Sequence, residues 1–215
     1  MKLYAYWRSS ASYRVRIALG YKGLSCESVD VDLRAAASAQ RSAQFLALNP
    51  EGLVPVLVDG EHLIRQSLAI IEYLEETHPQ PALLPQAPHA RAQVRALTLA
   101  IACDIHPLDN LRVLNYLRTP LGHDAAAVDT WYRHWIAQGF TALEQEVATT
   151  SSDGRHMFGA AVTLADVFVV PQMYNARRMS CELGPYPRLR AICAHLESLP
   201  AFAAAAPEAQ PGAAG

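Results

Sequence analysis

Apolar positions change their period along this chain, and the changes divide it into two parts. Between Lys2 and Trp7 the pattern alternates, with Leu3, Ala5 and Trp7 on one side and Tyr4 and Tyr6 on the other, which predicts a strand. From Ser10 to Lys22 the spacing turns helical, with Val15, Ala18 and Leu19 on one face. Glu27-Ser28-Val29-Asp30-Val31 alternates again. A helix between two strands predicts a parallel βαβ pair, because parallel neighbours need a crossover. Arg34 to Leu46 is rich in Ala and Ser and predicts a helix, and Asn49-Pro50-Glu51-Gly52 predicts a turn. Val54-Pro55-Val56-Leu57-Val58 and His62-Leu63-Ile64 flank Asp59-Gly60, a hairpin signal. Ser67 opens a helix through Leu68, Ile70, Ile71, Tyr73 and Leu74 that stops before His78-Pro79. The predicted order of this part is β-α-β-α-β-β-α.

Gln80-Pro81-Ala82-Leu83-Leu84-Pro85-Gln86-Ala87-Pro88 reads as a proline-punctuated linker, and beyond it every long segment carries helical spacing. Helices are predicted over Arg91–Cys103, Asn110–Leu117, Asp129–Val147, Leu164–Ala176 and Pro187–Leu199. Thr163-Leu164-Ala165-Asp166 has the form of a capping box, which makes Asp166 a structural partner of a helix start. The expected division is an α/β domain over 1–80, a linker over 81–90, an all-α domain over 91–208 and a loose tail over 209–215, where Ala, Pro and Gly offer little to bury.

Composition narrows the classes of function. The chain has 215 residues, 51% of them hydrophobic, so a sizeable core can form. A net charge of −2 without a basic block argues against a nucleic-acid partner. No apolar run is long enough to span a membrane and the opening lacks a signal-peptide pattern, so no membrane partner and a cytoplasmic location are expected. The four cysteines stand far apart and are expected to be buried and reduced, and the eight histidines show no metal-ligand spacing, so no metal is expected.

Candidate chemistry concentrates at the first helix start. The chain enters it through Arg8-Ser9-Ser10-Ala11-Ser12-Tyr13-Arg14, with no Asp or Glu to offset the positive end of the helix dipole. A cationic start lined with hydroxyls suits a bound anion or thiolate, and it also suits an ordinary serine cap beside solvated arginines. Pro55 within a strand pattern requires either an edge position with a trans bond or a cis Val54-Pro55 bond. Spacing leaves both pairs of readings open.

The run Arg8-Ser9-Ser10-Ala11-Ser12-Tyr13-Arg14-Val15-Arg16-Ile17-Ala18-Leu19 resembles the signature of zeta-class glutathione transferases. Further similarity lies in Ala47-Leu48-Asn49-Pro50, Leu53-Val54-Pro55, Gln66-Ser67 with the helix through Glu76, Leu83-Leu84-Pro85, Asp104-Ile105-His106-Pro107, Leu164-Ala165-Asp166 and Pro185-Tyr186-Pro187. The resemblance implies cytosolic glutathione transferase architecture: an α/β thioredoxin-like N-terminal domain, an all-α C-terminal domain and a homodimer. It implies a glutathione-dependent cis–trans isomerase of maleylacetoacetate, with maleylpyruvate as the alternative substrate. A conjugating or dehalogenating transferase is a further alternative, and so is a non-catalytic glutathione-binding protein. The family's usual cysteine after the serine pair is Ala11 here, so glutathione is left as the only reactive sulfur.

The same resemblance implies roles for individual residues. Ser10, Val54, Gln66, Ser67, His106 and Asn110 are expected to hold glutathione, Ser67 and Gln66 at its γ-glutamyl end and Val54 through its backbone. For His106 a plain helix-end role fits equally. Ser9, Ser10 and Arg8 are the expected catalytic group that favours the thiolate, Ser9 as the main hydroxyl donor and Ser10 as the capping residue. Arg8, Arg112 and Arg178 are expected to bind the two carboxylates of a diacid substrate. Arg177 is the weaker of its pair, because the family's match falls on Arg178.

Overall fold

The computed structural model describes residues 1–34 and 38–214. The chain forms two compact units, one of Met1–Ala82 with Ser198–Gly215 and one of Leu83–Glu197.

The first unit is built on a four-stranded sheet of β1 (Lys2–Ala5), β2 (Glu27–Asp30), β3 (Val56–Asp59) and β4 (His62–Arg65), in the order β2-β1-β3-β4. β1 pairs parallel with β2 across the helix α1 (Ser10–Tyr21), as the crossover requires, and antiparallel with β3. β3 and β4 form a hairpin in which Asp59 faces His62, so the turn residues are Gly60 and Glu61, with Gly60 at φ +58°. The apolar face of α1 (Val15, Ile17, Ala18) and that of α3 (Ser67–Thr77; Ile70, Ile71, Leu74) are fully buried, as are Val56 and Leu57 of the sheet.

The segment expected as one helix over Arg34–Leu46 differs. A 3₁₀ turn at Ala39–Arg41 is followed by α2 (Ala43–Leu48), and residues 35–37 lie outside the described residues. Ser42 restarts the helix because its hydroxyl accepts from the Phe45 N–H at 3.2 Å. The Val54-Pro55 bond is cis, and Pro55 lies just before β3 rather than within it.

Lys22, just past α1, has a fully buried side chain. Its ammonium donates to Glu75 Oε2 at 2.7 Å, to the His78 carbonyl at 2.7 Å and to the Pro81 carbonyl at 3.0 Å. All three donors are satisfied, and the end of α3 is tied to the end of α1.

The second unit holds α4 (Pro88–Asp104), α5 (Leu111–Arg118), α6 (Ala125–Thr150), α7 (Leu164–Arg178) and α8 (Pro187–Glu197). α4 begins within the expected linker because Pro88 suits the first helical position. Asp166 plays the structural part read from its motif. It accepts from the Met157 N–H at 2.7 Å, the Thr163 N–H at 2.7 Å and the Thr163 hydroxyl at 2.8 Å. Its burial outweighs these bonds and lifts its pKa to about 6.

The expected end of the helical domain at 208 and the loose tail over 209–215 are corrected. The last helix of the second unit stops at Glu197, and Pro200 starts α9 (Pro200–Ala205), which packs on α1 in the first unit. Phe202 is fully buried and anchors it, and Arg16 Nε donates to the Ala205 carbonyl at 3.0 Å. Two 3₁₀ turns follow at Pro207–Ala209 and Pro211–Ala214. A Cβ at Gly212 would stand 2.9 Å from Trp7 Cδ1, so the glycine lets this backbone lie close against the Trp7 ring. The cysteine expectation is also corrected: only Cys193 is buried, Cys103 is exposed, Cys26 and Cys181 are half-buried, and all four are free. Among the described residues no helix is long and apolar enough to cross a membrane.

Candidate functional site

In the first unit the expected residues gather at two helix starts. Ser9 is the N-cap of α1, and its Oγ accepts from the Ser12 N–H at 3.2 Å. The expectation that Ser10 does the capping is therefore corrected. The chain turns one residue earlier, since Ser9 has extended backbone angles and Ser10 is already helical and buried. Ser9 is half-buried and keeps its hydroxyl proton to donate, because its cap bond uses only the oxygen. The first turn of α1 contains no acidic residue. Arg8 is exposed and stacks over the Trp7 ring at 5.4 Å. Arg14 belongs to the interior and not to the cationic rim: it is 2% exposed.

The second helix start is that of α3. Its N-cap, Gln66, stands at φ +68°, and its side chain makes no capping bond to the free amides of the first turn. Gln66 is exposed, and its Nε2 donates to Glu51 Oε2 at 2.9 Å, a bond that uses the nitrogen and not the amide oxygen. Ser67, the first helical residue, is buried, and its Oγ accepts from Arg14 Nη1 at 3.3 Å. No acid lies in this first turn either, so both starts retain their positive potential. Val54 is half-buried beside Pro55 in the bend that leads into β3.

In the second unit His106 and Asn110 lie in the turns between α4 and α5. His106 is half-buried, and Asn110 caps α5 by accepting from the Arg112 N–H at 3.1 Å. Arg112 is exposed in the first turn of α5. Arg178 ends α7, exposed, with its guanidinium 6.0 Å from the centre of the Tyr132 ring. Arg177 instead pairs with Glu197 at 2.5 Å, which separates the two adjacent arginines.

Asp109 was not among the expected residues. It is 7% exposed, and neither carboxylate oxygen has a hydrogen-bond partner among the described residues. Burial pushes its pKa up from 3.8 to about 8. Nearby Tyr132 is also pushed up by burial, with Arg178 opposing and Asp109 adding to the rise. The sequence signal was its position between His106 and Asn110, but exposure decides its state. The native chain holds this proton between about pH 4 and 8 while an unfolded chain releases it, so stability falls as pH rises through that window. Asp109→Asn is expected to stabilise the protein increasingly over the same range, levelling off above pH 8 at several kcal/mol, up to about 5 for a shift of this size. Urea unfolding at pH 5 and pH 9 measures this, and an equal effect at both values contradicts it.

Comparison with known proteins identifies the family. The family described as "Glutathione S-transferase, N-terminal domain" matches residues 3–82. A probable maleylacetoacetate isomerase of Vibrio cholerae is 52% identical over 98% of this chain and 97% of its own. A solved holo structure of a bacterial zeta-class maleylpyruvate isomerase superposes with a TM-score of 0.95 at 48% identity, covering 98% of this chain and 99% of that one. The maleylacetoacetate isomerase of Methylobacterium extorquens AM1, solved with bound malonate and glutathione, gives 0.94 at 39% identity, covering 99% of both. Identity at this level across the whole length of both chains shows that this protein belongs to the zeta class of glutathione transferases, the family of the maleylacetoacetate and maleylpyruvate isomerases.

Proposed function

We propose that this chain is a glutathione-dependent cis–trans isomerase of maleylacetoacetate. The observation that carries the reading is the paired helix starts of the first unit, both without acidic residues, in a chain 52% identical to a probable maleylacetoacetate isomerase. Maleylpyruvate is the second candidate substrate, favoured by the likeness to a solved maleylpyruvate isomerase. The two differ in the length of the keto acid and share the chemistry.

The residues present fit glutathione. Ser67 and the open amides of α3 suit the γ-glutamyl carboxylate, and the Gln66 amide oxygen suits the amine beside it. The Val54 backbone is suited to the cysteinyl part and Ser10 lies at the start of α1, while His106 and Asn110 are assigned to glutathione by the family resemblance alone. When bound, glutathione supplies reversible thiolate addition, which makes the cis double bond a rotatable single bond and then restores it as trans. Ala11 carries no thiol, so the chain adds no second nucleophile there.

The protein's part is electrostatic. The α1 dipole, the Arg8 charge and the Ser9 hydroxyl all favour the ionised sulfur, and together they lower its pKa by about one to two units. The cap bond from the Ser12 N–H fixes the Ser9 oxygen and leaves the proton to be donated. The family resemblance assigns the two substrate carboxylates to Arg8, Arg112 and Arg178, guanidinium groups suited to binding carboxylates and to stabilising the enolate charge that develops on addition.

Ser9→Ala tests the assignment. It is expected to raise the bound thiol's pKa by about one unit, cutting neutral-pH turnover by roughly three- to eightfold, and to cost about 1 kcal/mol of stability through the lost cap. Thiolate absorbance against pH in the glutathione complex reads the first effect. An unchanged thiol pKa with normal turnover on maleylacetoacetate removes Ser9 from the mechanism.

The family resemblance also supports a homodimer in the cytoplasm. Sedimentation equilibrium is expected to give twice the 23.5 kDa chain mass, and a single-chain mass at micromolar concentration rejects it.

A further inference from the structure

Arg14 is among the largest fully buried side chains of the protein. It lies on α1, one turn beyond Ser10, and its Nη1 reaches across to Ser67 Oγ at 3.3 Å. A guanidinium has no acceptor, so the direction of this bond is fixed: Arg14 donates and Ser67 accepts. One consequence follows for Ser67. With its oxygen already accepting, its proton remains for a different acceptor. A second consequence is electrostatic. An arginine stays protonated whatever its surroundings, so a permanent charge lies behind the first residue of α3. The uncapped amides of that turn add the positive end of the helix dipole at the same place.

We propose that Arg14 is a positioning residue for the α-carboxylate of the γ-glutamyl group of glutathione. It holds the Ser67 hydroxyl with its proton available to that carboxylate and places a buried positive charge behind it. Arg14 acts through Ser67 and the local field, without touching the tripeptide. The proposal rests on the reading that glutathione binds this unit. It differs from a packing role in one measurable respect. Packing would affect every tripeptide alike, whereas this arrangement matters only to a ligand that carries the α-carboxylate.

The experiment compares glutathione with γ-aminobutyryl-cysteinyl-glycine, which lacks only that carboxylate, by calorimetric titration of the full chain. Wild type is expected to favour glutathione by roughly 10–100-fold. Arg14→Gln is expected to shrink the preference to within about threefold, mainly by weakening glutathione. Arg14→Lys keeps the charge but loses the planar fork, so its preference is expected to fall between the two. It also serves where the Gln variant does not fold. Wild-type protein with labelled arginine gives a readout free of any substitution. The buried guanidinium N–H signals are expected to shift on adding glutathione and to stay in place with the analogue. A folded variant that weakens both peptides by the same factor overturns the proposal, as does an unmoved guanidinium signal. Equal wild-type affinity for the two peptides overturns it as well. Wild-type protein that binds neither peptide overturns the glutathione reading itself.

Discussion

Lys22→Met is expected to lower the unfolding free energy by about 3–5 kcal/mol, the range for breaking a buried ion pair by removing one partner. The Lys22 side chain is fully buried and its three donors are all used, on Glu75 Oε2 and on the carbonyls of His78 and Pro81. A methionine fills similar volume but leaves an 8%-exposed carboxylate and two carbonyls without this donor. The penalty lies in the buried groups that lose this donor and not in the Coulomb attraction lost. The double variant Lys22→Met with Glu75→Leu should therefore recover a large part of it. Thermal unfolding followed by circular dichroism should show a drop of roughly 6–20 °C for the single variant. A loss below about 1 kcal/mol would mean that water reaches the ammonium, contrary to the burial seen.

Arg112→Ala and Arg178→Ala are each expected to lower kcat/KM for the maleyl diacid by roughly 10–150-fold, with a much smaller effect on KM for glutathione. On the proposed carboxylate role, each substitution would remove a charge-assisted bond of about 1.5–3 kcal/mol. Both arginines are exposed, and neither shares a salt bridge with an acidic side chain among the described residues. Arg177 supplies the internal control. It is next in sequence to Arg178 but is engaged by Glu197, so Arg177→Ala should leave the diacid KM near the wild-type value. Steady-state kinetics with maleylacetoacetate and with maleylpyruvate reads all three. Wild-type constants in both Arg112→Ala and Arg178→Ala would remove the carboxylate clamp from the mechanism.

These predictions draw unequally on sequence and structure. Arg112 and Arg178 were named from the chain alone, since carboxylate recognition by arginine depends on residue type and a family match locates it. The preference for Arg178 over Arg177 has a physical basis only in the fold, where Glu197 on α8 takes one of the two. Ser9 and Ser10 were both legible as candidates, but their division of labour was not. Which serine caps depends on where the backbone first turns helical, a shift of one residue that side-chain pattern does not resolve. The sequence pattern does not mark Asp109, because its altered chemistry comes from desolvation, a property of everything packed around it.

Periodicity by itself determined the strand and helix order of the first unit, the parallel pairing of β1 and β2 and the helical character of the second. Those features follow from local rules: a period of two or of 3.6, a proline or serine at a start, and a crossover between parallel strands. Asp166 was equally legible, because a capping box acts within four residues. Only the tertiary structure decided the return of Ser198–Gly215 to the first unit, the burial of Lys22 and the reach of Arg14 to Ser67. Each of these joins residues more than fifty positions apart. A local pattern records which side of an element is apolar. It does not record which distant carbonyl, hydroxyl or carboxylate will lie opposite an arginine or a lysine once the chain has closed around it.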